Sequence, residues 1–339
     1  MKTNYLRYMK ALVNKILWLT IGFVCILAFP ARAQQMTAGQ EEKTIPVGDF
    51  SSISVSDDFE VSLVKGKQGV KVTSEKELIP YIQVYVRSKT LFISYDEKSV
   101  PKDTRKLFKR RGASDPVFRA VVSMPELGGI SLSNNATLSA VENFSGNNLE
   151  INLADKAQVK TLSAHVNAAT LTMKKNAQAS VNIEADSKLT INTEGNAELK
   201  LGGKAQEIAV DAAGSSELTL AADCKTSAIT TSGTAELSLS QKAEKISLNA
   251  GGYSKLNLSE EADVIQLQGE RSASVEANAF TVKKAEANLS GSTKVNISIT
   301  ESLDATLLGG SALYYTGTPS IKIGKIIKST LAPYGSTAK

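Results

Sequence analysis

The sequence predicts an all-β protein: a single-stranded parallel β-helix of about ten coils, 18–22 residues each, preceded by a small antiparallel β region. Three observations carry this. First, apolar or small residues alternate with polar ones in thirteen-residue arcs, as in Ile246, Leu248, Ala250, Gly252, Ser254, Leu256 and Leu258. Alternation with period two buries one face of a strand and solvates the other. Second, a charged stretch such as Ser259–Val264 separates one arc from the next, and the pattern restarts at Ile265, giving a period of 19 residues. Third, equivalent positions carry equivalent residues. Self-similarity at this period is the mark of a solenoid.

The arcs align as Gly128–Ala140, Leu149–Thr161, Leu171–Ile183, Leu189–Leu201, Ile208–Leu220, Ser227–Leu239, Ile246–Leu258, Ile265–Ala277, Ala285–Ile297 and Leu303–Tyr315. The sixth inward position reads Leu199, Leu218, Leu237 and Leu256 in successive arcs, and the fifth is Ala, Ser or Thr throughout. One circuit per arc places Leu237 between Leu218 and Leu256 and pairs the strands in parallel, about 4.8 Å apart. The fourth position is most often Gly, as at Gly195, Gly214, Gly233 and Gly252. Glycine turns a chain where no side chain fits. Lys175 falls at an inward position of the third arc, and Arg271 stands where Gly is usual in the eighth. A buried unpaired charge is costly, so these side chains are expected to escape at a corner.

In chain order, residues 1–33 read as a signal peptide. Lys2, Arg7, Lys10 and Lys15 precede an apolar run from Ile16 to Phe29, and Ala31-Arg32-Ala33 supplies the small residues of a cleavage site. The run is shorter than the ~20 residues of a membrane span. Cys25 follows Phe23 and Val24, which does not suit lipidation. The chain has a formal net charge of +5, but these 33 residues hold five Lys/Arg and no acid, so the mature chain is neutral. Its basicity therefore says nothing about nucleic acid. With only Cys224 left, no internal disulfide can form.

Residues 34–126 are expected to be a flexible leader and the small N-terminal β region. Ile53 and Val55; Phe59, Val61 and Leu63; Val70 and Val72; Ile82, Val84 and Val86; and Leu91 and Ile93 alternate as strands joined by hairpins, with Leu78, Tyr81 and Phe92 packing on them. Lys102, Arg105, Lys106, Lys109, Arg110 and Arg111 interrupt this region. Such a run is ordinarily a solvated loop; as a patch it would suit an anionic surface, polysaccharide or lipid headgroups. Residues 127–323 are the repeats, and 324–339 a C-terminal tail. An uncovered end coil exposes strand edges, so Thr316–Lys339, with Ile321, Ile323, Ile326 and Ile327, is expected to fold over one end and the N-terminal region over the other.

Several blocks resemble a known family. Phe50-Ser51-Ser52-Ile53-Ser54-Val55 with Phe59 to Gly66, Leu91 to Tyr95, Met124-Pro125-Glu126-Leu127, and the tetrads Ser232 to Ala235 and Ser290 to Thr293 are similar to the putative auto-transporter adhesin, head GIN domain family of exported Bacteroidetes proteins. The resemblance implies a right-handed parallel β-helix in an envelope or surface protein, periplasmic or on the cell surface of a Gram-negative bacterium. Only 24 residues follow Tyr315, too few for a translocator barrel.

An enzyme on this scaffold would need paired carboxylates on one outer face, with a cation nearby. The nearest set is the row Glu198, Glu217 and Glu236, followed by Lys255. Stacked carboxylates repel one another unless a cation intervenes; the ordinary alternative is a solvated outer row. His165 is the only histidine. No Ser/His/Asp set, metal spacing or nucleotide motif is present. The expectation is a non-catalytic binding or structural module without cofactor or metal, for polysaccharide or an envelope or host surface protein. The alternative is a polysaccharide lyase or hydrolase.

Overall fold

The computed structural model describes residues 39–108 and 115–335. The signal peptide, most of the leader, Lys109, Arg110, Arg111 and the last four residues lie outside them. The chain divides at Gln40/Glu41, and the fold below is that of the unit from Glu41 onward. It is nearly all β, 69 % strand and 4 % helix, and forms a β-solenoid of about 11 turns with antiparallel pairs at its N-terminal part.

The strands, in chain order, are β1 (Gln40–Ile45), β2 (Ser52–Val55), β3 (Glu60–Lys65), β4 (Gly69–Glu75), β5 (Ile82–Arg87), β6 (Thr90–Tyr95), β7 (Arg119–Met124), β8 (Gly129–Leu132), β9 (Thr137–Leu153), β10 (Gln158–Lys175), β11 (Gln178–Gly195), β12 (Glu198–Lys204), β13 (Glu207–Ala212), β14 (Glu217–Asp223), β15 (Thr226–Thr231), β16 (Glu236–Ala250), β17 (Lys255–Gly269), β18 (Ser274–Leu289), β19 (Lys294–Leu308), β20 (Ala312–Thr316), β21 (Ser320–Ile327) and β22 (Thr330–Pro333). One α-helix among the described residues, α1 (Lys102–Phe108), lies between β6 and β7. Each rung has a first limb, a tight corner and a second limb. Leu237 lies between Leu218 and Leu256 in parallel register, and its side chain is 1 % exposed.

A single column shows how the stack is built. Leu91, Ile53, Ile130, Ile151, Leu171, Ile191, Val210, Ile229, Leu248, Leu267, Ala287, Ala305 and Ile323 are successive Cα partners on the first limb. Each interior member is sandwiched by two others, and burial of a Val, Leu or Ile contributes about 1.5–3 kcal/mol. The small fifth position also has a reason. Ser216 and Ser254 are buried there, and their hydroxyls accept from Thr193 (3.1 Å) and Thr231 (2.9 Å) on the preceding rung. Each also donates to a corner carbonyl, Ala213 or Gly251, so the buried polar groups are satisfied.

The corner is a column of left-handed residues. Asp57, Asn134, Asp155, Lys175, Gly195, Gly214, Gly233, Gly252, Arg271, Gly291, Gly309 and Lys328 all have positive φ. Backbones approach closely here: a Cβ on Gly233 would stand 2.5 Å from the Gly214 carbonyl oxygen. Lys175 and Arg271 belong to this column and are exposed, so both charges escape at the corner. The fourth position is thus not inward at all.

The structure corrects four further expectations. The third arc starts at Ala169, not Leu171: Ala169 partners Leu189, and Ala179, not Val181, partners Leu199. The stretches between arcs are not turns. β9, β10, β11 and β16 to β19 run through them as bent strands that bury Phe144, Val166, Ile183, Phe280 and Ile299. The N-terminal region has antiparallel pairs as expected, β5 with β6 and β4 with β7, but not all of its strands are antiparallel. β2 pairs in parallel with β6 and β8, and β3 with β7 and β9, so both extend the solenoid. Nor do β3 and β4 form a hairpin, because β7 lies between them, parallel to β3 and antiparallel to β4. The β5–β6 hairpin is as expected, with Ser88 and Lys89 both at positive φ, the signature of a type I′ turn. Finally, Thr316–Gly335 does not fold over an end. β21 and β22 add one more rung, paired with β19 and β20.

Candidate functional site

Three outward features are shaped by this register. The first is the carboxylate row. Glu198, Glu217, Glu236 and Lys255 are successive partners on the second limb. Glu198 receives Lys200 at 3.1 Å and the Gln178 amide at 3.3 Å, and Gln178 in turn accepts from Gln158 at 3.0 Å. Glu236 receives Lys255 at 2.7 Å. Its carboxylate, through that hydrogen bond and its charge, pushes the Lys255 ammonium above its ordinary value. Glu217 sits between these two neutralised pairs without an ion pair among the described residues. Glu217, Glu236 and Lys255 are exposed to solvent and Glu198 is half-buried.

The second feature is a cleft of about 540 Å³ where the corner column meets the segment between β6 and β7. Asp57, Asp58, Asn134, Asn135 and Asp155 form one wall, and Tyr95, Arg105 and Phe118 contribute the other. The acids are already engaged. Asp57 accepts from the Tyr95 amide (3.0 Å) and the Asn134 side chain (3.1 Å), and Asp58 from Asn135 (2.7 Å). Lys175 hydrogen-bonds Asp155 and holds its carboxyl below the usual carboxylate range. Burial, and then the Glu97 carboxylate, push the Tyr95 phenol up. Its ring packs on Phe118, centroids 4.5 Å apart. The sequence signal for this wall was the set of Asp and Asn residues standing where later rungs carry Gly. These residue types tolerate the left-handed corner and also line a cleft.

The third feature is a strip on the first limb. Ser54, Ser131, Asn152, Thr172, Asn192, Asp211, Thr230, Asn249, Gln268, Asn288 and Thr306 are successive partners. One acid interrupts an otherwise uncharged series of hydroxyls and amides running about 50 Å at the ~4.8 Å rung spacing. Two shallow grooves lie on this limb, one of about 260 Å³ around Ser131, Asn152 and Thr172 and one of about 280 Å³ around Thr230, Asn249 and Gln268.

The other singled-out residues are not brought together. Lys102, Arg105 and Lys106 are on α1, where Lys106 pairs with Asp103 at 3.2 Å and Arg105 lines the cleft. His165 is exposed and contacts Asp186 on the adjacent rung at 3.0 Å. Cys224 is half-buried beside Gln241, and burial with the Asp223 charge pushes its thiol to about 11. Among the described residues no cluster of three or more His, Cys, Asp or Glu could hold a metal ion, and no helix is long and apolar enough to cross a membrane.

A stacked β-solenoid with charge-paired and polar outer rows is the class of protein that this architecture defines. The chain belongs to the family described as putative auto-transporter adhesin, head GIN domain, whose model matches residues 49–230 and 220–319. Among solved structures, it is similar to a putative adhesin from Parabacteroides distasonis (17 % identity, 87 % of this chain and 96 % of that one, TM-score 0.36). It is also similar to a putative lipid binding protein from the same organism (18 % identity, 88 % and 97 %, TM-score 0.36) and to a putative adhesin from Parabacteroides merdae (14 % identity, 88 % and 97 %, TM-score 0.36). No curated protein matches the chain.

Proposed function

We propose that the protein is an exported, non-catalytic binding module of the cell envelope, and that its rigid solenoid presents the first-limb strip to hydroxyl-rich polysaccharide. The observation that carries this is the strip itself. Eleven hydroxyl, amide and carboxylate side chains are held one per rung by the backbone ladder, a spacing that does not change when a ligand arrives. Pre-ordered polar groups lose little entropy on binding, and a linear array suits a linear polymer. The family's adhesin description is in keeping with this reading. Two of the three carboxylates in the row are engaged by Lys, Glu198 and Glu236, and Asp57 and Asp58 are engaged by amides, so Glu217 is the one member of the row left without an ion pair among the described residues.

A glycan array probed with the protein from Gln34 onward tests the reading. Binding to one or more polysaccharides is expected, reduced about tenfold or more by Asn192→Ala with Asn249→Ala, since each removes hydrogen bonds of roughly 0.5–1.5 kcal/mol. Binding to no glycan, or binding indifferent to those substitutions, would refute it. Shortening of the bound polymer would establish the lyase or hydrolase instead.

A further inference from the structure

The column that begins at Leu91 ends at Ile323, and no described rung lies beyond it. Ile321, Ile323 and Ile326 partner Leu303, Ala305 and Leu307, three buried core residues. They are themselves 39 %, 56 % and 36 % exposed, and Ile327 is 42 % exposed. Among the described residues, this end of the solenoid therefore presents its inward face without a further rung. Cations rim it. Lys322 is held by Asp304 at 2.9 Å, but Lys325 and Lys328 form no ion pair among the described residues. From Ala305 to Gly335 the chain contains three lysines and no acid. Tyr334, 54 % exposed, lies beside them in sequence.

Charge decides what can cover this surface. A second copy stacked C-terminal end to C-terminal end would bring Lys325 and Lys328, which form no ion pair among the described residues, against their counterparts, and lysine on an edge strand opposes pairing. An anionic lipid surface supplies the opposite charge and, just below it, an apolar layer. Lysine stems can lie along apolar matter while their ammonium groups stay among phosphates. Tyrosine is suited to the headgroup level. We propose that the open C-terminal end docks onto the headgroup layer of an anionic phospholipid membrane, with Ile321, Ile323, Ile326 and Ile327 entering the interface and Lys325 and Lys328 on lipid phosphates. A rod held by its end stands away from the bilayer, with its long polar rows facing the surroundings.

Flotation with vesicles tests this, using the chain from Gln34, which keeps the whole unit from Glu41 onward and omits the apolar segment before it. The protein should float with vesicles of phosphatidylcholine mixed with phosphatidylglycerol, and about tenfold less with phosphatidylcholine alone, the difference shrinking in high salt. Lys325→Glu with Lys328→Glu should reduce flotation about tenfold or more, and Ile323→Ser with Ile326→Ser should reduce it comparably. Both pairs should keep the wild-type melting temperature, because the sites are exposed. Lys102→Glu with Lys106→Glu, at the other basic run, should leave flotation unchanged. No flotation, or flotation undiminished by either C-terminal pair, would overturn the proposal. So would loss of flotation in the Lys102/Lys106 pair alone. A concentration-dependent dimer abolished by the isoleucine pair would give the surface to a second copy instead.

Discussion

The two ends of the solenoid are built from the same column and finished differently. Leu91, at one terminus, is 0 % exposed; Ile323, at the other, is 56 % exposed. At the Leu91 end the chain runs past its first rung, turns back, and lays antiparallel strands against the terminal parallel pair, β5 on β6 and β4 on β7. Leu78 and Phe118 are buried there, with Phe118 packed between Phe59 and Tyr95. At the Ile323 end the chain adds a rung that no other described residue covers. A repeat needs a neighbour on each side to bury its face. The same residue type thus belongs to the core or to the surface according to whether something lies beyond it.

The largest expected effect breaks the comparison directly. Leu91→Asp buries an unpaired carboxylate and should cost at least about 4 kcal/mol. Ile323→Asp, on the same column, should cost less than about 1 kcal/mol. Denaturant melts of the two variants check this, and equal losses would show that the C-terminal end is covered after all.

A middle-sized effect concerns the corner, which runs unchanged between the ends. Gly233→Ala places a Cβ against the Gly214 carbonyl at positive φ and should cost about 1–3 kcal/mol. Arg271→Gly relieves a left-handed non-glycine residue and should be near neutral or slightly stabilising by thermal melting.

A small effect lies near the covered end. Lys175 lowers the Asp155 carboxyl below its unfolded value, so the native state binds that proton less readily than the unfolded state. The contribution is present above the ordinary carboxylate value and is lost as pH falls through the lowered one. The stability difference between wild type and Lys175→Met should therefore be largest at neutral pH and narrow in acid. A difference that stays constant across that range would remove the pair from the account.

Much of this was legible in the sequence, for a physical reason. A core stacked on itself repeats its chemistry, so Leu218, Leu237 and Leu256 announce their register, and small residues mark the corner. The rest depended on long-range choices that leave no local trace. Nothing in β3 or β4 says that β7 will lie between them, since any of the three alternates in the same way. The shift of the third arc came from the bent strand before it, where Leu162, Ala164 and Val166 alternate as the arc does and an irregularity at Val166–Ala168 then resets the phase at Ala169. The carboxylate row was visible because it repeats at the period. The cleft was not, because Asp57, Asn134 and Tyr95 meet only once the chain has turned back on itself.

Native-state hydrogen exchange read by mass spectrometry tests most directly the claim that one end is covered and the other open. In a linear stack, protection should follow the number of covering neighbours. Peptides from β6 and β7 are predicted to exchange as slowly as those from the central rungs, and peptides from β21 and β22 fastest of all the strands. Equal protection at the two ends, or fraying that begins at β6, would contradict the account.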